Sequence, residues 1–481
     1  MRVTQYRIEG LGHLSTLVAD ESSGVAAIVD PRRDVDIYLE AARAAELRIT
    51  HVVETHLHND YVSGGRELAA LTGATHVIGA GARLAHGHAP ATDGDTFDVG
   101  TIRFTTRDTP GHTPEHVSYA VADTSRADEP FLLLTGGSLL VGAVGRTDLL
   151  GAENARPFAD AMYRSLHDVL LTHQDSVMVY PTHGAGSLCS TGISSTSWST
   201  VGFERRHDPL LAPMEADAFA RALLAGQPTI PRYFARMRPT NQAGPRLLGG
   251  VVPSIAPLSG DDLDAALERD ALIVDARSTD AHATARIPGS LSMPAGSSFG
   301  TWLGWLVDAD RPVVLLVERP DDLDDLARQA IRIGYEATAG YIEGGLAAWR
   351  RSGRPVEVGR SYAVDDLARD LASGSAAPFV IDVRQASEFD AGHVPGAVHI
   401  GAGELPDRLD GLPRDRDIAT VCASGYRSSV AASLLRARGF ERVMAVRGGL
   451  PDWEARGYPV AYGSGEGADP ASMPAIESHA H

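Results

Sequence analysis

The stretch Thr55-His56-Leu57-His58-Asn59-Asp60 follows Thr50-His51-Val52-Val53-Glu54, a β-branched run that reads as a strand. Side chains two apart in an extended chain point the same way, so His56 and His58 are expected on one side. Two further histidines follow strand-like or turn-like signals. His112 comes after Thr109-Pro110-Gly111, a tight turn, and His183-Gly184 follows the run Ser176-Val177-Met178-Val179-Tyr180 and Pro181. Imidazoles at the ends of neighbouring strands can ring a cation, and three protein ligands with open positions make a catalytic rather than a structural site. The candidate metal ligands are therefore His56, His58, His112 and His183. Asp60 joins them as a ligand or as a group that orients a ligand histidine. For His51, His76, His86, His88, His116, His173 and His207 a capping or single hydrogen-bonding role is expected.

Composition narrows the classes. At 481 residues, a prior of roughly 100–200 residues per domain suggests about three domains. Hydrophobic residues make up 43% and charged residues 22%, enough for ordinary cores. A net charge of −19 argues against nucleic acid or an anionic membrane as partner. No apolar run reaches the length of a membrane span, and Met1-Arg2-Val3-Thr4-Gln5-Tyr6 lacks a signal-peptide core. Two cysteines exclude a disulfide framework and suit a reducing, cytoplasmic setting.

Three segments and a tail are expected. Residues 1–245 alternate apolar runs such as Val25-Ala26-Ala27-Ile28-Val29 and Phe131-Leu132-Leu133-Leu134 with helical stretches at 63–71 and 157–171. Residues 246–358 and 359–462 form an internal repeat. Leu272-Ile273-Val274-Asp275-Ala276-Arg277 parallels Val380-Ile381-Asp382-Val383-Arg384, and Gly344-Gly345-Leu346-Ala347-Ala348-Trp349 parallels Gly448-Gly449-Leu450-Pro451-Asp452-Trp453. Each repeat alternates β-runs with helices, the pattern of a parallel α/β sheet. The tail, 463–481, is Gly/Ser/Pro/Ala-rich and expected to be disordered.

The second repeat carries Val421-Cys422-Ala423-Ser424-Gly425-Tyr426-Arg427-Ser428. Cys422 follows an apolar run and precedes a helix start, so its thiolate meets backbone N–H groups and the positive helix end, which makes it nucleophilic. Arg427 closes the loop and adds positive charge. In the first repeat Val317 or Glu318 stands where Cys422 sits, and Pro320-Asp321-Asp322 would repel a sulfur anion, so that unit is expected to be inactive. The other cysteine, Cys189, follows His183 closely; it is equally a small buried hydrophobe or a sulfur-accepting thiol beside the metal. Asp148 is a candidate for local structure near the site, and for Arg146 a structural ion pair is expected over binding of an anionic thiol.

The histidine motifs resemble the metallo-β-lactamase superfamily, and the Cys422 loop resembles that of the rhodaneses. The six-residue Cys-to-Arg loop has the length rhodaneses share; the related phosphatases carry a longer one. The resemblance implies an N-terminal αββα sandwich followed by two rhodanese-like α/β domains with parallel sheets. Two departures bear on the metal. Tyr61 replaces the final histidine of the first motif, which serves a second metal in the family, so a mononuclear site is implied. Thr135-Gly136-Gly137 replaces Thr-Gly-Asp, whose aspartate binds iron alongside the histidines at the positions of His56 and His112. Either His58 completes a three-histidine site, or the site is degenerate. Asn59-Asp60-Tyr61-Val62-Ser63-Gly64-Gly65 and His183-Gly184-Ala185-Gly186-Ser187 are similar to persulfide dioxygenases fused to rhodaneses. The resemblance thus implies one Fe(II) per chain, with Zn as the other option. It implies dioxygen and a small thiol persulfide such as glutathione persulfide as substrates, and sulfite or thiosulfate as products. Sulfane sulfur would pass through Cys422. A homodimer is compatible with this reading. The alternatives are a zinc-dependent thioester hydrolase of the glyoxalase II type with a rhodanese attached, and a sulfurtransferase or sensor with a degenerate metal site.

Overall fold

The computed structural model describes residues 1–374 and 377–463; residues 464–481 of the expected disordered tail lie outside them. The described chain divides into two compact units. The first holds Met1–Pro253 together with Ala327–Tyr335, and the second holds the remainder.

The first unit is built on two six-stranded sheets. One runs in chain order through Arg2–Ile8, His13–Asp20, Val25–Val29, Arg48–Glu54, Thr75–Gly79 and Ala89–Ala91. The other orders Ser199–Thr200, Met178–Pro181, Leu132–Gly136, Val117–Asp123, Ile102–Asp108 and Thr96–Val99. Successive side chains of a strand face opposite sides, and here both sides are buried. Ala27 and Val29 enter the core between the sheets with Val53, Leu132 and Leu134. Ala26, Ile28 and Val52 face outward to Tyr38, Ala42 and Leu68 of the helices Asp36–Ala44 and Gly65–Thr72. On the far face Leu133 and Val179 pack against Ala159, Met162 and Phe219 of Ala152–Arg164 and Ala216–Leu224. Burial on both faces is why these strands read as unbroken apolar runs. The result is an αββα sandwich.

Two differences from the sequence reading have local causes. The helix expected at 157–171 begins at Ala152 and is regular only to Arg164, after which Ser165–Val169 widens and Leu170–Thr172 tightens. Pro157 is the sixth residue of this helix, past the first turn, so its missing N–H forgoes one intrahelical bond. Residues 246–253 stay with the first unit because the buried Glu67 carboxylate accepts the amides of Leu248 and Gly250, both at 2.7 Å.

In the second unit each repeat forms a five-stranded sheet with the same order. The first reads Pro257–Leu258, Thr338–Ile342, Val313–Leu316, Leu272–Asp275, Leu291–Ser292; the second reads Tyr362–Ala363, Val443–Arg447, Ile418–Val421, Phe379–Asp382, Val398–His399. All pairings within them are parallel. Asp275 pairs with Leu316 and Asp382 with Val421. The residue after each strand end is therefore equivalent, which sets Val317 rather than Glu318 opposite Cys422. Among the described residues no helix is long and apolar enough to cross a membrane.

Glu67 also lies 3.7 Å from the Arg33 guanidinium, both side chains being at most 2% exposed. Glu67→Ala is expected to destabilise the first unit by about 3–5 kcal/mol, the cost of breaking a buried pair, read as a lowered urea midpoint of the full chain.

Candidate metal centre and cysteine loop

The metal candidates lie where strands of both sheets end. His56 and His58 follow Arg48–Glu54, His112 follows Ile102–Asp108, and His183 follows Met178–Pro181. The loop carrying His56 and His58 is irregular, not extended, yet their rings lie 4.2 Å apart between centroids. His56 is 5.0 Å from His112 and 5.5 Å from His183. The structure thus brings all four imidazoles together, at no more than 1% exposure each.

Each ring meets one partner through one nitrogen, by a hydrogen bond at His56 and His112 and by facing a carboxylate at His58 and His183. His56 Nδ1 pairs with Thr55 Oγ1 at 2.8 Å and His112 Nδ1 with the Arg146 carbonyl at 2.8 Å. His58 Nε2 lies 3.2 Å from Asp30 Oδ1, and His183 Nδ1 lies 3.3 Å from Asp60 Oδ2. The other nitrogen of each, His56 Nε2, His58 Nδ1, His112 Nε2 and His183 Nε2, is buried with no hydrogen-bond partner. Four orphaned acceptors in one sealed space are costly in apolar surroundings, and a cation satisfies them. The residues therefore fit a metal. Donor atoms within 4.8 Å of one another form two sets, His56–His58–His183 and His112–His183–Cys189. Asp60 belongs to neither set and touches the centre through His183, as an orienting group would.

Burial keeps two of these rings, His56 and His112, neutral, the form that ligates. It holds His56 well below an ordinary imidazole, with His58 and His112 adding to the effect, and lowers His112 to about 3. Burial also pushes the Asp60 carboxyl up, but His183 outweighs it and brings it to about 2. His183 goes the other way: burial lowers it, yet the Cys189 sulfur and Asp60 raise it well above the usual value.

Gly137 has no carboxylate, and the space for one is filled. A Cβ there would lie 2.3 Å from His112 Cδ2 and 2.8 Å from Nε2. Tyr61 stacks on His58 at 4.4 Å between centroids and reaches the Asp30 carbonyl. Arg146 grips Asp148 through two bonds of 2.7 and 2.8 Å, a structural ion pair whose partner the sequence did not name. His116 is satisfied by Thr109 Oγ1 and the Gly137 amide, as expected of a non-ligand, although it stacks on His56. Sequence reasoning missed Asp30, Thr182 and His13. Asp30 ends an apolar strand run, which was the available signal; Thr182, next to His183, carried none.

In the second unit Cys422 is buried and accepts the Gly425 amide at 3.1 Å. Ser428 Oγ lies 3.8 Å from its sulfur. The helix Tyr426–Ala437 starts at once, and Gly425 makes the turn with φ +93°. Arg427 does close the loop, but its charge is shared: it forms bonds of 2.6 and 2.7 Å to Glu388. Asp382–Arg384 and Asp275–Arg277 form equivalent structural pairs in the two repeats.

Comparison with known proteins agrees with this anatomy. Residues 8–183 match the metallo-beta-lactamase superfamily, and residues 259–352 and 363–456 each match a rhodanese-like domain. The bovine (Bos taurus) protein "Persulfide dioxygenase ETHE1, mitochondrial" is 30% identical over 215 residues, 43% of this chain and 74% of its own. The chain belongs to the ETHE1-like persulfide dioxygenase family, with two rhodanese-like domains following. A sulfurtransferase of Allochromatium vinosum is 35% identical over 81 residues, covering 17% of this chain and 76% of that protein. A crystal structure titled metallo-beta-lactamase from Staphylococcus aureus covers 71% of this chain and 98% of its own at 28% identity, with a TM-score of 0.65. At family level this is an enzyme of sulfur chemistry with a metal-binding domain.

Restoring the aspartate should not restore the family site. Gly137→Asp is expected to displace His112 and weaken metal binding about 10–100-fold, the range seen when groups around a metal are disturbed, as measured by metal analysis after dialysis.

Proposed function

We propose that this chain is a bifunctional persulfide dioxygenase and sulfurtransferase. The observation that carries the reading is the set of four buried imidazoles, each presenting at least one ring nitrogen with no hydrogen-bond partner. One iron(II) would be held by ligands drawn from His56, His58, His112 and His183, since imidazole is a suitable ligand for it. That iron would supply the redox chemistry by which dioxygen oxidises the terminal sulfur of a small thiol persulfide to sulfite. Asp30 and Asp60 fix the orientation of His58 and His183, and the sealed pocket keeps bulk water from the reacting sulfur. Cys422 carries sulfane sulfur as a persulfide, its charge met by the Gly425 amide and the start of the following helix. Arg427, anchored by Glu388, shapes the loop mouth.

The two donor sets sharing His183 support a second reading, a two-zinc thioester hydrolase. Metal analysis separates them: one iron per chain supports the dioxygenase, two zincs the hydrolase.

Iron(II)-loaded protein given glutathione persulfide is expected to consume oxygen and form sulfite. His112→Ala should cut this at least about 100-fold, beyond the loss typical of disturbing a group behind a ligand; undiminished uptake would remove His112 from the centre. Cys422→Ser should abolish thiosulfate-linked sulfur transfer and leave metal content unchanged, and surviving transfer would refute the role of Cys422.

A further inference from the structure

We propose that Cys189 is the anionic metal ligand of this chain, its sulfur taking the part left vacant by Gly137. The inference deepens the metal-centre reading above and rests on it.

The sulfur of Cys189 and donor nitrogens of His112 and His183 lie within 4.8 Å of one another. All three residues are essentially without exposure. His112 Nε2 and His183 Nε2 have no hydrogen-bond partner. One residue ties the set together. The Arg146 amide donates to the Cys189 carbonyl at 2.9 Å, and the Arg146 carbonyl holds His112 Nδ1 at 2.8 Å. Its guanidinium bonds to the Leu188 carbonyl at 3.0 Å, and the Cys189 amide donates to Ser187 Oγ at 3.1 Å. The cysteine is thus held in place by the same backbone that presents His112.

Charge supplies the reason. A divalent cation among neutral imidazoles keeps its full charge in a pocket that excludes water, and such burial demands an anion. Gly137 offers none, and the His112 ring occupies its side-chain space. Asp30 is engaged by Thr55, Thr182 and His58. Asp60 stands behind His183, outside both donor sets. Cys189 is the one group inside a donor set that can bring negative charge to the metal, and thiolate binds iron, cobalt and zinc. On binding, the S–H bond breaks, a metal–sulfur bond forms and the proton passes to solvent; no electron is transferred.

The test uses full-length Cys422→Ser protein, in which Cys189 is the sole thiol because the chain has two cysteines. Loaded with cobalt(II), it is expected to show a sulfur-to-cobalt charge-transfer band in the near ultraviolet. Adding Cys189→Asp should remove that band while cobalt stays bound, since a carboxylate replaces the thiolate. Bound cobalt with visible d–d bands and no sulfur band in the Cys422→Ser protein would overturn this inference and leave the metal centre standing. A sulfur band that survives replacement of Cys189 would overturn it too. Failure to bind cobalt at all would overturn both.

Discussion

The centre depends on one buried carboxylate. Asp30 accepts the Thr55 amide at 2.8 Å and the Thr55 hydroxyl at 2.9 Å, accepts the Thr182 hydroxyl, and faces His58. Its carbonyl receives His13 Nε2 at 2.9 Å. Thr55 directly follows a strand of the first sheet and Thr182 a strand of the second, so this group ties both sheets together where the imidazoles emerge. A buried carboxylate is tolerable only with such a set of donors; burial raises its pKa, but His58 and the hydroxyls bring it below the ordinary value. The same contacts set the histidines. The Thr55 hydroxyl donates its hydrogen bond to Asp30, so its oxygen accepts from His56 Nδ1, which leaves Nε2 for a metal. Asp30 adopts φ +49°, a conformation that costs a non-glycine residue energy and that this network maintains.

Around that frame Gly137 offers no carboxylate, and the His112 ring occupies the space beside it. The loop through Arg146 then serves two ends, presenting His112 through its carbonyl and fixing Cys189 through its amide.

The duplicated half tells a different story. Both repeats keep the sheet order, the Asp–Arg pair after the equivalent strand, and the small contacts between them, such as Ser292 with Ser429 at 2.8 Å. What separates them is the single position after a strand end, Cys422 against Val317, and the acidic stretch that follows the latter. The scaffold persists because its buried pairs and strands carry stability, whereas sulfur chemistry needs one thiol and a turn of helix. The helix after Cys422 packs against the first repeat, with Tyr426 donating to the Pro294 carbonyl at 3.2 Å, so the first repeat supports the cysteine loop of the second.

The strands, the repeat and the cysteine loop were legible in the sequence because their determinants are contiguous. An apolar run doubly buried, a Gly-containing turn before a helix, and His56 and His58 two residues apart depend on neighbours along the chain. What only the tertiary structure decided concerns partners far apart in sequence. Asp30 and Thr182 are separated by 152 residues, and nothing in their spacing announces that they meet. Which nitrogen of each histidine is free, that Cys189 shares a donor set with His112, and that Glu388 takes up the charge of Arg427 are likewise settled by contacts of about 3 Å. Hydrogen bonds and coordination act over that range alone, and packing of the two sheets, not order along the chain, sets those distances.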